Sequence, residues 1–254
     1  MTLPRVSATH VLARIRRGAS SSPVVVETSA GRFVVKLRGA GHGTLALVSE
    51  LVVAALAEKL GVPVPERVLL DLSPDFRSDD KNDELHDLLA RSVGLNVGFR
   101  LLDGAREPRP EELERLHDEF AARVLWLDGL TQNPDRTRDN PNLLLWKLRP
   151  WLIDHGSALT FHYDWRSVTE SSPREPASYV NHVFETRTAL LPRFDATLAR
   201  LVNEYTLTRA LADVPDELLE ATNAEPATRV RAAYHAFLWK RLKPPRPFVP
   251  ALDF

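Results

Sequence analysis

Hydrophobic and polar positions change rhythm near residue 102. Before it, short β-branched runs dominate. Val24-Val25-Val26-Glu27-Thr28 and Arg32-Phe33-Val34-Val35-Lys36-Leu37 flank Ser29-Ala30-Gly31 and predict a hairpin. An earlier strand is expected near His10–Arg16, followed by the small-residue loop Gly18–Pro23. Arg38-Gly39-Ala40-Gly41-His42-Gly43 reads as a flexible breaker. TLALVSELVVAALAEKL then spaces its apolar residues as a helix does, with Gly61 and Pro63 as stop signals. Glu66–Leu72 predicts a strand, residues 73–84 a polar, acidic excursion, the stretch to Ser92 a helix, and Asn96–Leu102 another strand.

After residue 102 the period lengthens. Pro108-Arg109-Pro110 opens a segment whose apolar residues recur at three and four positions through Glu111–Leu127, predicting one helix. A dense polar loop, Thr131–Asn142, precedes two apolar runs, Leu143–Trp146 and Trp151–Ile153. From about Ala177 the pattern is helical, punctuated by Pro192, Pro215 and Pro226. The last helix spans roughly Ala227–Leu242. The tail KPPRPFVP is expected to pack Phe248 and Phe254 onto the helices. The expectation is an α+β fold with a strand-rich lobe, 1–102, a helix-rich lobe, 103–254, and a ligand site between them.

Composition narrows the chemistry. A chain of 254 residues hides roughly 70–75% of its unfolded surface, so its core needs no disulfide or metal staple. The absence of cysteine excludes thiol nucleophiles, iron–sulfur clusters and thiolate zinc sites. With 33 basic and 34 acidic residues, the chain has no global positive field for nucleic acid. No apolar run approaches the roughly 18 residues of a membrane span. The opening MTLPRVSATHVLARIRRG lacks the apolar core and cleavage site of a secretory signal. A soluble, cytoplasmic protein is expected. Six of the 33 basic residues are lysine, so a lysine inside an apolar strand stands out.

That lysine is Lys36, in FVVKL, where an unpaired ammonium would be costly. Glu50 interrupts the apolar run LALVSELVVAAL in the following helix, and the two together suggest a strand-to-helix ion pair that aims a lysine at a phosphate. Asp135 and Asn140 lie five positions apart in the polar loop. Phosphoryl transfer needs a carboxylate to orient the attacking hydroxyl and an amide oxygen to hold a metal. Asp154 ends the run Trp151-Leu152-Ile153, followed by His155-Gly156, and two antiparallel strands would bring it to the mouth holding Asp135. Asp154 and Asn140 would suit Mg²⁺, which favours oxygen ligands and keeps several waters. Beside the roles that a resemblance to a known kinase family implies below, Asn142 is either a second amide at the metal or a turn or structural residue. A glycosidase also uses two carboxylates, but that reading leaves Lys36, Glu50 and Asn140 unexplained. The histidines show no metal-binding spacing; His155, beside Asp154, has either a role at that carboxylate or a structural one.

Lysine, helical glutamate, Asp-x₄-Asn, then Asp-x-Gly is the order of parts in a protein-kinase-like fold. Asn-Pro-Asp-Arg stands where ordinary protein kinases carry His-Arg-Asp, Asp-His-Gly replaces Asp-Phe-Gly, and no glycine-rich motif precedes Lys36. From about residue 20 to residue 160, the stretches VVVETSAGRFVVKLRGAGHGTLALVSELVVAALAEKLGVPVPERVLLDL, GLNVGF and LTQNPDRTRDNPNLLLW resemble the HipA-like kinases. The resemblance implies a two-lobed ATP-Mg²⁺ kinase acting on a serine or threonine of a protein or of itself. It gives Lys36 the ATP phosphates, Glu50 the lysine, Asp135 the acid/base role, and Asn140 and Asp154 the Mg²⁺. Ser20, Ser21 and Ser22 stand in the place of the phosphate-covering loop, and Arg100 and Leu102 lie at the hinge expected to meet adenine. Thr137 replaces the histidine that lipid kinases carry two residues after the catalytic aspartate. Alternatives are a nucleotide-binding pseudokinase or a small-molecule kinase. An antitoxin-like partner is left open, and neither membrane nor direct nucleic-acid binding is expected.

Overall fold

Short aliphatic runs, buried along most of their length in all but the first strand, build the first sheet of the computed structural model, which describes residues 3–15, 23–221 and 225–251. The expected hairpin is present as β2 (Val24–Thr28) and β3 (Gly31–Lys36), in register from Val24↔Val35 to Thr28↔Gly31. Its turn needs Gly31, whose φ is +113°. The preceding strand, β1 (Arg5–Arg14), starts five residues earlier than the pattern suggested. β4 (Arg67–Leu72) and β5 (Gly94–Arg100) complete the set.

These strands close into a barrel in the order β1-β2-β3-β5-β4. Closure comes from a parallel pairing of β1 with β4, Arg5↔Leu69 to Ser7↔Asp71. Arg5 grips Asp71 with two hydrogen bonds of 2.5 and 2.7 Å across that seam. The seam leaves no free sheet edge between the first and last strands. Val24, Val26, Phe33, Val35, Val68 and Leu70 fill the interior, joined by Leu85, Leu88 and Leu89 of α2 (Asp83–Arg91).

Helix α1 (Gly43–Lys59) is apolar on nearly every side, because it is enclosed by the barrel and by helices of the second half. Its Leu47, Val48, Leu51 and Leu56 enter the larger core, which continues into Trp126, Leu127 and Tyr234. The helix expected over Glu111–Leu127 is two helices, α3 (Pro110–Glu114) and α4 (Asp118–Thr131). His117 is extended there (ψ 141°), and α4 restarts with Asp118 and Glu119 at its positive end. Gln132, at φ 51°, ends α4.

The two apolar runs form a hairpin, β6 (Leu143–Trp146) and β7 (Arg149–Leu152), in register Leu143↔Leu152 to Trp146↔Arg149. β7 therefore begins two residues before Trp151 and stops before Ile153. Helix from Ala177 onward is incorrect. Residues 177–184 are irregular because their backbone bonds to the polar loop, Arg138 N–H to Asn181 O and Val183 N–H to Arg136 O, both 3.0 Å. Regular helix resumes with α5 (Leu191–Leu201), followed by α6 (Glu204–Ala212), α7 (Asp216–Glu220) and α8 (Ala227–Leu242). Pro192 lies in the first turn of α5, and Pro215 and Pro226 stand at the N-caps of α7 and α8. These prolines start helices, where a missing N–H costs nothing.

In the tail, Phe248 is buried edge-on against Trp126, with ring centroids 5.2 Å apart. Phe254, Ser20, Ser21 and Ser22 lie outside the described residues. Among the described residues, no helix is long and apolar enough to cross a membrane.

Candidate active site

Lys36 ends β3, one position after Val35, so its side chain leaves the barrel interior and turns toward α1. Its Nζ lies 2.6 Å from Asp154 Oδ1 and 3.3 Å from Glu50 Oε1. The contact with Asp154 is a short hydrogen bond, and Glu50 Oε1 is the longer ion-pair partner. Glu50 Oε2 accepts the backbone N–H of His155 at 2.9 Å. The three side chains are 1% exposed for Glu50, 11% for Lys36 and 33% for Asp154. Asp154 is therefore the member that faces solvent.

Burial works against the Lys36 ammonium, but Glu50 and Asp154 outweigh it and hold its pKa above the ordinary value. Burial lifts the Glu50 carboxyl, opposed by Lys36. For Asp154, burial is overcome by Lys36, and the carboxyl stays below its usual range. The charged form of Asp154 is thus the stable one.

Asp154 is left-handed at φ 55°, which turns the chain sharply after β7. A Cβ on Gly156 would lie 3.4 Å from both Ala46 Cβ and Glu50 Oε1, so this turn sits directly on α1. Ser49 Oγ donates to Ala158 O (2.8 Å) and the Tyr163 hydroxyl to Gly156 O (2.7 Å), holding the segment there. His42, at the head of α1, rests on the Tyr163 ring at 4.5 Å.

The polar loop supplies a second cluster. Asp135 Oδ2 accepts from Asn140 Nδ2 (3.1 Å) and Asn142 Nδ2 (3.0 Å). Its backbone N–H donates to Asn133 Oδ1 (3.1 Å). Arg136 connects this cluster to the first. Its Nη1 donates to Asn142 O (2.8 Å) and Ile153 O (3.3 Å), the latter next to Asp154. Its Nε donates to Asp128 Oδ2 (2.7 Å), which also meets His182 Nε2 (3.0 Å).

A family model for HipA-like kinases matches residues 8–233. The chain belongs to the HipA-like kinase family. The crystal structure of a Helicobacter pylori proinflammatory kinase, CtkA, is similar over 94% of this chain and 98% of that one. The TM-score is 0.51 at 11% identity, a likeness of fold. The closed barrel of this HipA-like kinase sits within that kinase-like fold. No curated protein matches the chain.

Lys36, Glu50 and Asp154 come together in this HipA-like kinase, as do Asp135 and Asn140. Of the expected hinge residues, Arg100 ends β5 and Leu102 follows it. The Arg100 guanidinium is engaged with Glu66, Ala30 O and the Phe33 ring. Leu102 is buried at the turn closed by Ala105 N–H. The 38–43 loop is pinned rather than free: Arg38 N–H donates to Asn96 Oδ1 (2.8 Å) and Gly39 N–H to Ser92 Oγ (3.1 Å). His155 is fully buried near Arg136, and burial first, then that guanidinium, pushes its pKa down to about 3.

The sequence reading missed Asp128, Asn133 and His182, and gave Arg136 no role. Asp128 breaks the apolar run LWLDGL much as Glu50 breaks its own, and that signal was available. His182 sits in a segment with no periodicity to draw attention. Among the described residues, no three His, Cys, Asp or Glu side chains converge on one metal position. The donors present are carboxylate and amide oxygens, which fit Mg²⁺, since that ion takes one or two carboxylates and fills its shell with water and phosphate oxygens.

Proposed function

We propose that this HipA-like kinase transfers the γ-phosphoryl group of ATP, with Mg²⁺, to a serine or threonine hydroxyl of a protein or of its own chain. The observation that carries the reading is Lys36 held between Glu50 and Asp154 while Arg136 ties the Asp154 strand to the loop bearing Asp135. Lys36, fixed from behind by Glu50, binds phosphate oxygens. Asp154 and Asn140 would hold Mg²⁺, which would supply charge neutralisation to the transferring group. Asp135 has one carboxylate oxygen committed to two amides, leaving Oδ1 to orient the acceptor hydroxyl and take its proton. Adenine lies against the turn at Leu102. Most of the rate enhancement comes from positioning and charge neutralisation rather than covalent catalysis.

The test is incubation of the purified chain with ATP and Mg²⁺, followed by phosphopeptide mass spectrometry on the chain and on a protein panel. Phosphoserine or phosphothreonine should appear with the wild type. Asp135→Ala should lose it while still binding a nucleotide analogue. Nucleotide binding with no transfer to any protein or small-molecule hydroxyl would make the chain a binding module instead.

A further inference from the structure

We infer that the first turn of α1 binds a dianionic phosphate group through the Thr44 hydroxyl and the backbone N–H groups of Thr44 and Leu45. The site lies beside the Asp154 turn and does not use Lys36. It stands on the donors of this turn and needs no transfer step.

The loop before α1 spends its donors on itself and on the barrel. Arg38 N–H and Gly39 N–H are taken by Asn96 and Ser92, Ala40 N–H goes to Leu37 O (3.0 Å), and Gly43 N–H goes to Ala40 O (2.9 Å). Donation stops where the helix begins. Among the described residues, nothing accepts from Thr44 N–H or Leu45 N–H, two of the first four amides that a helix cannot satisfy from within. The His42 side chain makes no capping bond, and the first turn holds no acid. The positive end of this 17-residue helix is therefore uncompensated.

A second observation points to a ligand. Thr44 is 5% exposed, and its Oγ1 is buried without a hydrogen-bond partner. The Cα–Cβ bond of a helical residue tilts toward the N-terminus, so this side chain leans back over the turn whose amides lack acceptors. A buried hydroxyl without a partner is costly, and an anion that accepts from it and from both amides removes that cost. His42 is exposed and Gly43 and Leu45 are half-buried, so one side of the turn is open to solvent.

The surroundings favour phosphate. Such a group offers three strong acceptor oxygens, matching three donors. Ala46 Cβ lies 3.4 Å from where a Cβ on Gly156 would stand, so the turn touches the segment just after Asp154. The exposed His42 ring, resting on Tyr163 at 4.5 Å, borders the same turn. Glu50, the next acid along α1, is already engaged by Lys36 and by the His155 N–H. The terminal phosphate of a nucleotide and a phosphorylated hydroxyl share this chemistry.

The experiment titrates the isotope-labelled full chain with inorganic phosphate at constant ionic strength and follows its amide resonances, with chloride as control. The Thr44 and Leu45 amides should shift with phosphate and not with chloride. Thr44→Val keeps the shape, removes the hydroxyl and should weaken phosphate by about tenfold. Thr44→Ser keeps a hydroxyl and should stay within about threefold of wild type. If Thr44→Val fails to fold, the wild-type titration and Thr44→Ser decide. A non-hydrolysable ATP analogue and O-phosphoserine separate the two sources. Displacement of inorganic phosphate by the analogue assigns the site to the nucleotide; O-phosphoserine shifting the same amides with the analogue bound assigns it to a phosphorylated residue. The inference is overturned by amides that do not move, by an equal response to chloride, by Thr44→Val binding phosphate as tightly as wild type, by Thr44→Ser losing it, or by a phosphate response that neither compound reproduces. Because none of these readouts requires phosphoryl transfer, their failure is distinct from failure of the kinase reading.

Discussion

Arg136 and Asp128 form an ion pair from which solvent is excluded on both sides, with Nε 2.7 Å from Oδ2 and side-chain exposures of 0% and 1%. Burial acts to raise the Asp128 carboxyl, but Arg136 and His182 outweigh it and bring its pKa down to about 2. The pair fastens the loop bearing Asp135 to α4, the best-buried helix of the second half.

Removing either partner strands a buried charge. Asp128→Ala and Arg136→Ala should each destabilise by about 3–5 kcal/mol, measured by urea denaturation. The double variant should cost clearly less than the sum, because neither charge is then left alone. Additive costs would show that the two side chains act independently.

Acid should unfold the protein through its buried histidines. His155 and His162 both have pKa values pushed down to about 3, in each case first by burial. The unfolded chain binds a proton at each near the ordinary 6.5, while the folded chain refuses it until about 3. Stability is therefore fully present above pH 6.5 and falls as pH drops through that window, by on the order of 2 kcal/mol per histidine at pH 4.5. Asp128 adds a further loss between its ordinary value and about 2. Urea midpoints at pH 7.5 and 4.5 measure this, and His162→Asn should flatten the slope.

Lys36→Met should invert part of that pH dependence. Without the ammonium, buried Glu50 faces Asp154 with no counter-charge, and its carboxyl rises further. A carboxyl whose folded pKa exceeds its unfolded one stabilises as pH falls through the folded value. Relative to wild type, the variant should be least stable near pH 8 and recover toward pH 5 in thermal melts. A constant deficit across that range would contradict the charge contact at 3.3 Å.

Gly129 lies on α4 where the tail crosses it. An added Cβ would stand 2.8 Å from Phe248 Cβ and meet the Tyr179 hydroxyl. Gly129→Ala should cost about 1–3 kcal/mol through overpacking, read as a lowered melting temperature. Tyr179→Phe in the same background removes the hydroxyl nearest that Cβ and should relieve part of the loss.

Elements were legible where a single period decided them. β2, β3, α1 and β6 lie within a residue or two of their expected ends, since a strand or a fully buried helix imposes its own spacing. The one helix expected over Glu111–Leu127 failed because the three- and four-residue apolar spacing runs on through the break between α3 and α4, and nothing in that spacing reports the extended backbone at His117. The segment after Ala177 failed for a different reason. Its apolar residues are there to cover the core, while its backbone is drawn out of helix by Arg136 and Arg138.

By itself, the chain's pattern determined the β-then-α order and the pairing of a strand lysine with a helical acid. It also marked the loop and turn that carry the remaining carboxylates. These are local facts, set by side-chain period and by the cost of a charge in an apolar run. Tertiary structure alone decided that β1 closes the sheet against β4 and that Asp128, Arg136 and His182 form the buried support of the loop. Each of those depends on residues far apart in the chain meeting in a space whose low polarity makes an unpaired group expensive. Spacing along the chain does not encode that meeting; packing does.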